Sequence, residues 1–461
     1  MTPLITLLLV GGQTPAVQNP QQQQAPPPVS DQRPTPPIQP NLTVVPLPPA
    51  VTLGNFPPGV PQPVTAPISA EEAAKVALQR QPTLGLSQAA VLAAQGKTLQ
   101  ERSLLGPNVA LTSSYTNRQN LHGQFFNGQP GFDTSIVANQ LIFDFNHTLD
   151  LVRQAEAQEQ SAKHAYTRAQ NDLVLATKNA YYTYAQDLAL IKVQEANLAS
   201  DQASLALAQA QLSAGIGEPV NVVTAQTNVA TATLALSQAR STALTARIAL
   251  AVEMGVDART PLMLSESTEP TPQGDDVNAF VDTALKNRPE IRQYKEDLRA
   301  AGYEVSSART TNAPSVGLAV TGGSQGDNTP FNDQGLSAAI TVNWTLFDSG
   351  RQAGLVKQSQ ADVLTAKANL TTFSQTIVQD VAQAYVNLRT AEQEVQIAKS
   401  AVANGQEAVR IAEGRFRAGI GTFIDVTTAQ ATLVQAQTQQ VTAESQVQQS
   451  RAALRHAMGL I

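Results

Sequence analysis

Catalysis needs nucleophiles, acid–base pairs or metal ligands at workable spacings, and this chain offers few. Its 461 residues include no cysteine, which removes disulfides, thiolate metal sites and cysteine nucleophiles together. It also removes any lipid attached through an N-terminal cysteine. The four histidines, His122, His147, His164 and His456, stand at no metal-ligand spacing. No phosphate-loop or HExxH motif is present. The chain is therefore expected to be no enzyme and to carry no cofactor and no metal. What recurs instead is a glycine pair, Gly215-Ile216-Gly217 and Gly419-Ile420-Gly421, each following an alanine. Glycines so placed reverse a helical hairpin, because they accept positive φ at low cost. After the second pair, Thr422-x-x-Asp425 reads as a capping box, its carboxylate favoured at a helix start. Such residues turn and cap helices.

The elements holding them announce themselves in the composition. Charged residues make up 14% of the chain, against about 25% in a usual soluble protein. Alanine and glutamine fill the gap; both favour helix, and alanine adds little core volume. The net charge, 30 − 36 = −6, argues against a general nucleic-acid partner. Proline is uneven: 18 of the 28 lie in residues 1–67. Residues 17–67 are rich in Pro and Gln and read as a tether without a core. Ahead of it, Leu4–Val10 is a short apolar run with no Lys or Arg before it, so 1–16 is an incomplete secretory signal, a mis-set start or a plain end.

Between Gly131 and Gly215 there is neither Gly nor Pro, and no Pro follows Pro330. A helix over about 148–212 would hold 65 residues and run roughly 98 Å. A second is expected over about 351–417. Shared residues show the two to be copies: Ala180-Tyr181 and Ala384-Tyr385, Ala214 to Gly217 and Ala418 to Gly421, Met254-Gly255 and Met458-Gly459, all 204 apart. Upstream, Pro82 and Pro107 match Pro289 and Pro314 at 207. Repeat 1 is thus 68–256: a helix, a hairpin about 108–146, the long helix, a turn at 213–217 and a return helix 218–256. A linker, 257–274, precedes repeat 2 at 275–461: a helix, a hairpin about 315–347, the long helix, a turn at 418–421 and a return helix 422–458.

The helices carry heptads, as in Tyr184, Ile191, Leu198, Leu205 and Leu212. A sustained seven-residue repeat implies left-handed coiling. The hairpins switch to alternation. Leu336, Ala338, Ile340, Val342, Trp344 and Leu346 alternate with smaller or polar residues, as do Val316, Leu318 and Val320. Repeat 1 is less regular, with Val109, Leu111 and Tyr115, then Val137, Leu141, Phe143 and Phe145. A run of this length suits a tilted strand across a bilayer, about 9–11 residues. Tyr115, Phe143, Phe145, Trp344 and Phe347 lie near strand ends, either as an interfacial aromatic girdle or as a buried collar at the strand–helix junction. Four strands cannot close a membrane barrel, for which about eight is the minimum, and an open edge in lipid is forbidden. Three chains would supply twelve.

The duplicated order of helix, hairpin, very long helix, glycine turn and return helix resembles the TolC-like outer-membrane efflux proteins. Local residues agree. Arg415-Phe416-Arg417-Ala418-Gly419, then Asp425-Val426 and Ala429, resembles the family's second tip motif, and Gly215 through Ala225 the first. Asn287-Arg288-Pro289-Glu290-Ile291 resembles the signature opening each repeat. The resemblance covers residues 69–461. It implies a homotrimer in outer-membrane lipid: a 12-stranded β-barrel continued by a periplasmic α-helical barrel, passive and gated at its periplasmic tip. The fold is then mainly α with β. An inner-membrane transporter would supply the energy for multidrug efflux or type I protein secretion. A periplasmic adaptor would dock at Gly215, Ile216, Gly217, Arg415, Gly419, Ile420 and Gly421. Asp425 matches a ring of aperture carboxylates. Thr428 stands where a second gate acid is often found, Asn221 where the first repeat has its acid, and Phe416 in place of a gate tyrosine. The alternatives are a secreted or surface coiled-coil filament, which leaves the alternating segments unexplained, and a periplasmic adaptor, which the duplication does not fit.

Overall fold

The computed structural model describes residues 67–118, 129–272, 274–326 and 333–461. The signal at 1–16, the tether as far as residue 66, and His122 lie outside the described residues. The first repeat builds α1 (Ala70–Arg80), α2 (Pro82–Ser103), β1 (Asn108–Arg118), β2 (Gln129–Phe143), α3 (His147–Ser213) and α4 (Pro219–Glu253). The second builds α5 (Val277–Asn287), α6 (Pro289–Thr310), β3 (Ser315–Gly326), β4 (Asp333–Asn343), α7 (Arg351–Arg417) and α8 (Phe423–Ala457). α3 and α7 both have 67 residues, and α4 and α8 both have 35.

The single leading helix expected in each repeat is in fact two. Pro82 and Pro289 each occupy the first turn of a new helix, and Gln81 and Arg288 before them are extended. Proline lacks the N–H that would continue a helix, and its ring forces the preceding residue out of the α region. The breaks have partners. A Cβ on Gly255, after α4, would lie 2.6 Å from the Arg80 carbonyl oxygen, and one on Gly459, after α8, 3.0 Å from the Arg288 nitrogen. The repeated Met-Gly thus ends each return helix in close contact with the kink that opens its own repeat.

Within each helical hairpin the seam is apolar and small. Leu388, Ala391, Val395 and Ile377 pack with Ala443, Val447 and Leu454 in repeat 2. Tyr181 and Tyr184 pack with Ala243, Ala246 and Leu250 in repeat 1. The inter-repeat linker straps the middle of the assembly. Tyr181 and Tyr184 donate to the backbone carbonyls of Ile68 and Leu262. The buried Lys178 of α3 lies 2.8 Å from Glu269 of the linker and 3.0 Å from Glu71 of α1, while Arg455 of α8 reaches Glu269 at 3.0 Å. One charge cluster therefore ties α1, α3, the linker and α8 together.

The four strands form one antiparallel sheet in the order β1-β2-β3-β4, with β1 and β4 as its edges. β4 pairs only to Asn343, which faces Ser315; Pro314 ends the partner there, so the alternation reaching Leu346 runs on past the ladder. A register shift between Leu141 and Phe143 also corrects the reading of β2. Val137 and Leu141 do not share a face with Phe143, because the bulge moves the later residues across by one position. Among the described residues no helix is long and apolar enough to cross a membrane.

Candidate functional site: a two-faced sheet and a paired helical tip

Residues directly opposite in neighbouring strands share a face, so the register sorts the sheet. One face carries Val109, Leu111 and Tyr115, opposite Ala138, Ile136 and Phe132. It continues through Val316, Leu318 and Val320, opposite Val342, Ile340 and Ala338. The other carries Ala110, Thr112, Ser114 and Thr116 of β1, Ser135, Val137, Asn139 and Leu141 of β2, Ala319 and Thr321 of β3, and Ser337, Ala339, Thr341 and Asn343 of β4. A water-soluble sheet turns its apolar face inward. Here the apolar face is left uncovered along with the other: Leu336 is 81% exposed and Ile340 72%, while Ser337, Ala339 and Thr341 are exposed too. A contiguous exposed patch of this kind needs a partner phase.

The aromatic residues sit at two levels of this face. Tyr115 and Phe132 face each other in the ladder, ring centroids 6.4 Å apart, close to the β1–β2 connection. Phe143 and Phe145 pair at 4.7 Å where the sheet meets α3. Trp344 and Phe347 follow β4 at the same end and are both exposed. Along β2 the two levels are eleven residues apart, 143 − 132. That is roughly 36 Å of strand, or about 28 Å along the normal at a tilt of about 40°, close to a hydrocarbon core.

The tips are built by backbone geometry. Gly215 and Gly419 hold φ of +76° and +72°. Ile216 and Gly217 both donate to the Gln211 carbonyl at 3.0 Å; Ile420 and Gly421 donate to the Arg415 carbonyl at 3.0 and 3.1 Å. Left-handed glycine after a helix lets such bonds satisfy the last carbonyls. The second glycine is needed for space: a Cβ on Gly217 would lie 2.6 Å from the Leu212 nitrogen, and one on Gly421 2.9 Å from the Arg415 Cβ. The turns push Ile216 and Ile420 outward, 80% and 71% exposed, and Arg415, whose carbonyl takes the Ile420 N–H, is exposed too.

Asp425 is exposed and completes the capping box: it accepts the Thr422 N–H at 2.9 Å while its own N–H donates to Thr422 Oγ1 at 3.2 Å. The Thr422 backbone bond, its hydroxyl and Arg415 nearby hold this carboxyl below the ordinary aspartate range, so it is ionised at neutral pH. Asn221 lies in the first turn of α4 and Thr428 in the second turn of α8. The rings of Phe416 and Phe423 meet at a tilt, centroids 5.6 Å apart, and together with Leu205, Ala208, Val222 and Ala225 they form one apolar cluster. The structure thus joins the two tips, Phe423 lying against α3 and α4. Heptad spacing does not mark Phe423; its only signal is a large apolar residue directly after a capping threonine.

The outer membrane efflux protein family model matches residues 73–256 and 280–460. The chain belongs to the outer membrane efflux protein family. Its relatives include the outer membrane efflux protein BepC of Brucella suis, 27% identical over 330 residues, or 70% of this chain and 71% of BepC. Protein CyaE of Bordetella pertussis is 27% identical over 399 residues, 84% of this chain and 83% of CyaE. Among solved structures, the outer membrane protein VceC of Vibrio cholerae superposes with a TM-score of 0.75 at 20% identity, over 85% of this chain and 96% of VceC. The fold is that of TolC-like channels, and the family is one of channels, not enzymes. The protein is an outer-membrane efflux channel that spans into the periplasm.

Proposed function

We propose that three copies of this chain pool their strands into a 12-stranded barrel and continue it as a helical tube, an exit duct from the periplasm to the exterior. The observation that carries this reading is the sheet itself. It has an uncovered apolar face, a second face of mostly small and polar residues, and two edges, β1 and β4, without a second neighbour among the described residues. Lipid accepts the first, water the second, and barrel closure alone removes the edges. Coiled-coil packing in a soluble filament would leave that face uncovered. In this reading Tyr115, Phe143, Phe145, Trp344 and Phe347 mark the membrane boundaries. The exposed Ile216 and Ile420, with Arg415 and the glycines that set them, form the surface for a periplasmic adaptor, whose inner-membrane transporter supplies the energy. Asp425, repeated three times, gives the aperture a negative ring, bordered by Asn221, Thr428 and Phe416.

The absence of native cysteine makes a clean test available. Single cysteines at positions 337 to 342, in intact outer membranes, are exposed to a membrane-impermeant thiol reagent. Positions 337, 339 and 341 should label and 338, 340 and 342 should not. Equal labelling of both sets overturns the reading.

A further inference from the structure

The two helical hairpins of one chain do not meet each other as their own halves do. Within a hairpin the seam is largely alanine and aliphatic; between hairpins, behind the apolar cluster at the tip, α3 and α8 touch through polar groups. Ser445 Oγ donates to the Tyr182 carbonyl at 3.1 Å, and Gln449 Nε2 to Thr183 Oγ1 at 3.2 Å. Gln430 Nε2 donates to Ser200 Oγ and Ser204 Oγ, both at 3.1 Å. Beside Gln430 this seam widens into a cleft of about 570 Å³ between α3, α4 and α8.

Two groups in the cleft are unmatched. Asp201 of α3 is 8% exposed and has no hydrogen bond or ion pair among the described residues. Gln430 of α8 is 6% exposed, and its Oε1 is buried without a partner. No Lys, Arg or His lines the cleft. Burial pushes the Asp201 carboxyl above its usual range, as expected of an acid with no counter-charge. The remaining polar lining includes Asn197, Asn228 and Thr428, and the walls between are Ala232, Ala431 and Val434.

A buried acid and a buried orphan acceptor both lack hydrogen-bond donors, and the acid lacks a counter-charge as well, so a donor that carries positive charge serves both. A divalent metal is a poor match, since it needs several hard oxygen ligands and no group of three acidic or histidine side chains is placed to hold one among the described residues. The alanine and valine walls suit a short alkyl chain. We propose that this cleft is a binding site for a small organic ammonium ion, its N–H groups on the Asp201 carboxylate and Gln430 Oε1 and its alkyl part against Ala232, Ala431 and Val434. Occupancy ties α8 to α3 and α4 behind the tip. The site stands independently of what the duct carries.

The test is calorimetric titration of the full chain, solubilised in detergent, with n-butylammonium chloride against sodium chloride of equal ionic strength. The wild type should show saturable binding. Asp201→Asn removes the charge, and Ala431→Leu, at an exposed position, fills the wall with the acid intact; each should weaken binding at least about tenfold. Tetramethylammonium, which has no N–H, should not bind saturably. Absence of saturable n-butylammonium binding in the wild type, unchanged affinity in either variant, or equally tight tetramethylammonium binding overturns the site.

Discussion

Ala338 and Ala339 are neighbours in β4 with the same side chain, and the register puts them on opposite faces: Ala338 faces Val320 in the ladder, Ala339 faces Ala319. Ala338 lies six residues before Trp344, 344 − 338. That is roughly 20 Å of strand and about 15 Å along the normal at a tilt of about 40°, half of a hydrocarbon core of about 30 Å. If Trp344 marks the interface, Ala338 sits at the bilayer midplane. Ala338→Arg should then cost about 2–4 kcal/mol per chain, and roughly three times that for a barrel of three chains. Ala339→Arg places the same charge in the aqueous lumen and should stay within about 0.5 kcal/mol, the range for an ordinary surface substitution. If both faces were in water, both variants would fall in that small range. The assay is the fraction of heat-resistant oligomer recovered from outer membranes as urea is raised, compared for wild type and the two variants. The account requires a large loss for Ala338→Arg and little for Ala339→Arg. Equal behaviour of the two would refute it.

Gly217→Ala forces a Cβ to within 2.6 Å of the Leu212 backbone, so the turn must open; export should fall while the oligomer persists, read by drug-resistance titration alongside the same gel. Lys178→Met leaves the buried Glu269 with Arg455 and the Tyr182 hydroxyl. Its cost should therefore lie near or below the low end of the about 3–5 kcal/mol for breaking a buried pair, seen as a lower unfolding midpoint. Asp187 is buried in α3, and desolvation raises its carboxyl above the ordinary value. The folded state then holds this proton more tightly than the unfolded one, and the charge destabilises the fold at neutral pH. Asp187→Asn should raise the melting midpoint at pH 7, the gain shrinking as acidification carries the wild-type carboxyl back through its raised folded value.

What could be read from the residues follows from where backbone chemistry leaves no choice. Glycine and proline delimit the long elements: α3 ends in the turn at Gly215 and α7 in the turn at Gly419, because left-handed backbone there suits no other residue as well. The start of α3 is less visible, since the chain enters it through Phe145 and Asn146, both at positive φ without being glycine. There the Asp144 carboxylate accepts from the Thr148 N–H at 2.7 Å, a contact across four residues that no motif flags. The bulge in β2 was hidden for a related reason: alternation reports the face of a strand only while its register holds. Polar contacts between hairpins were hidden too. Asp201 and Gln430 are 229 residues apart, 430 − 201, and only the packing of α8 on α3 brings them to one cleft.

The most direct measurement is native mass spectrometry of the full chain extracted from outer membranes in mild detergent. The account predicts one dominant species of three chains, because four strands per chain close a barrel only when pooled. A chain that leaves the membrane fraction without detergent, or that flies as a stable monomer or dimer, would contradict it.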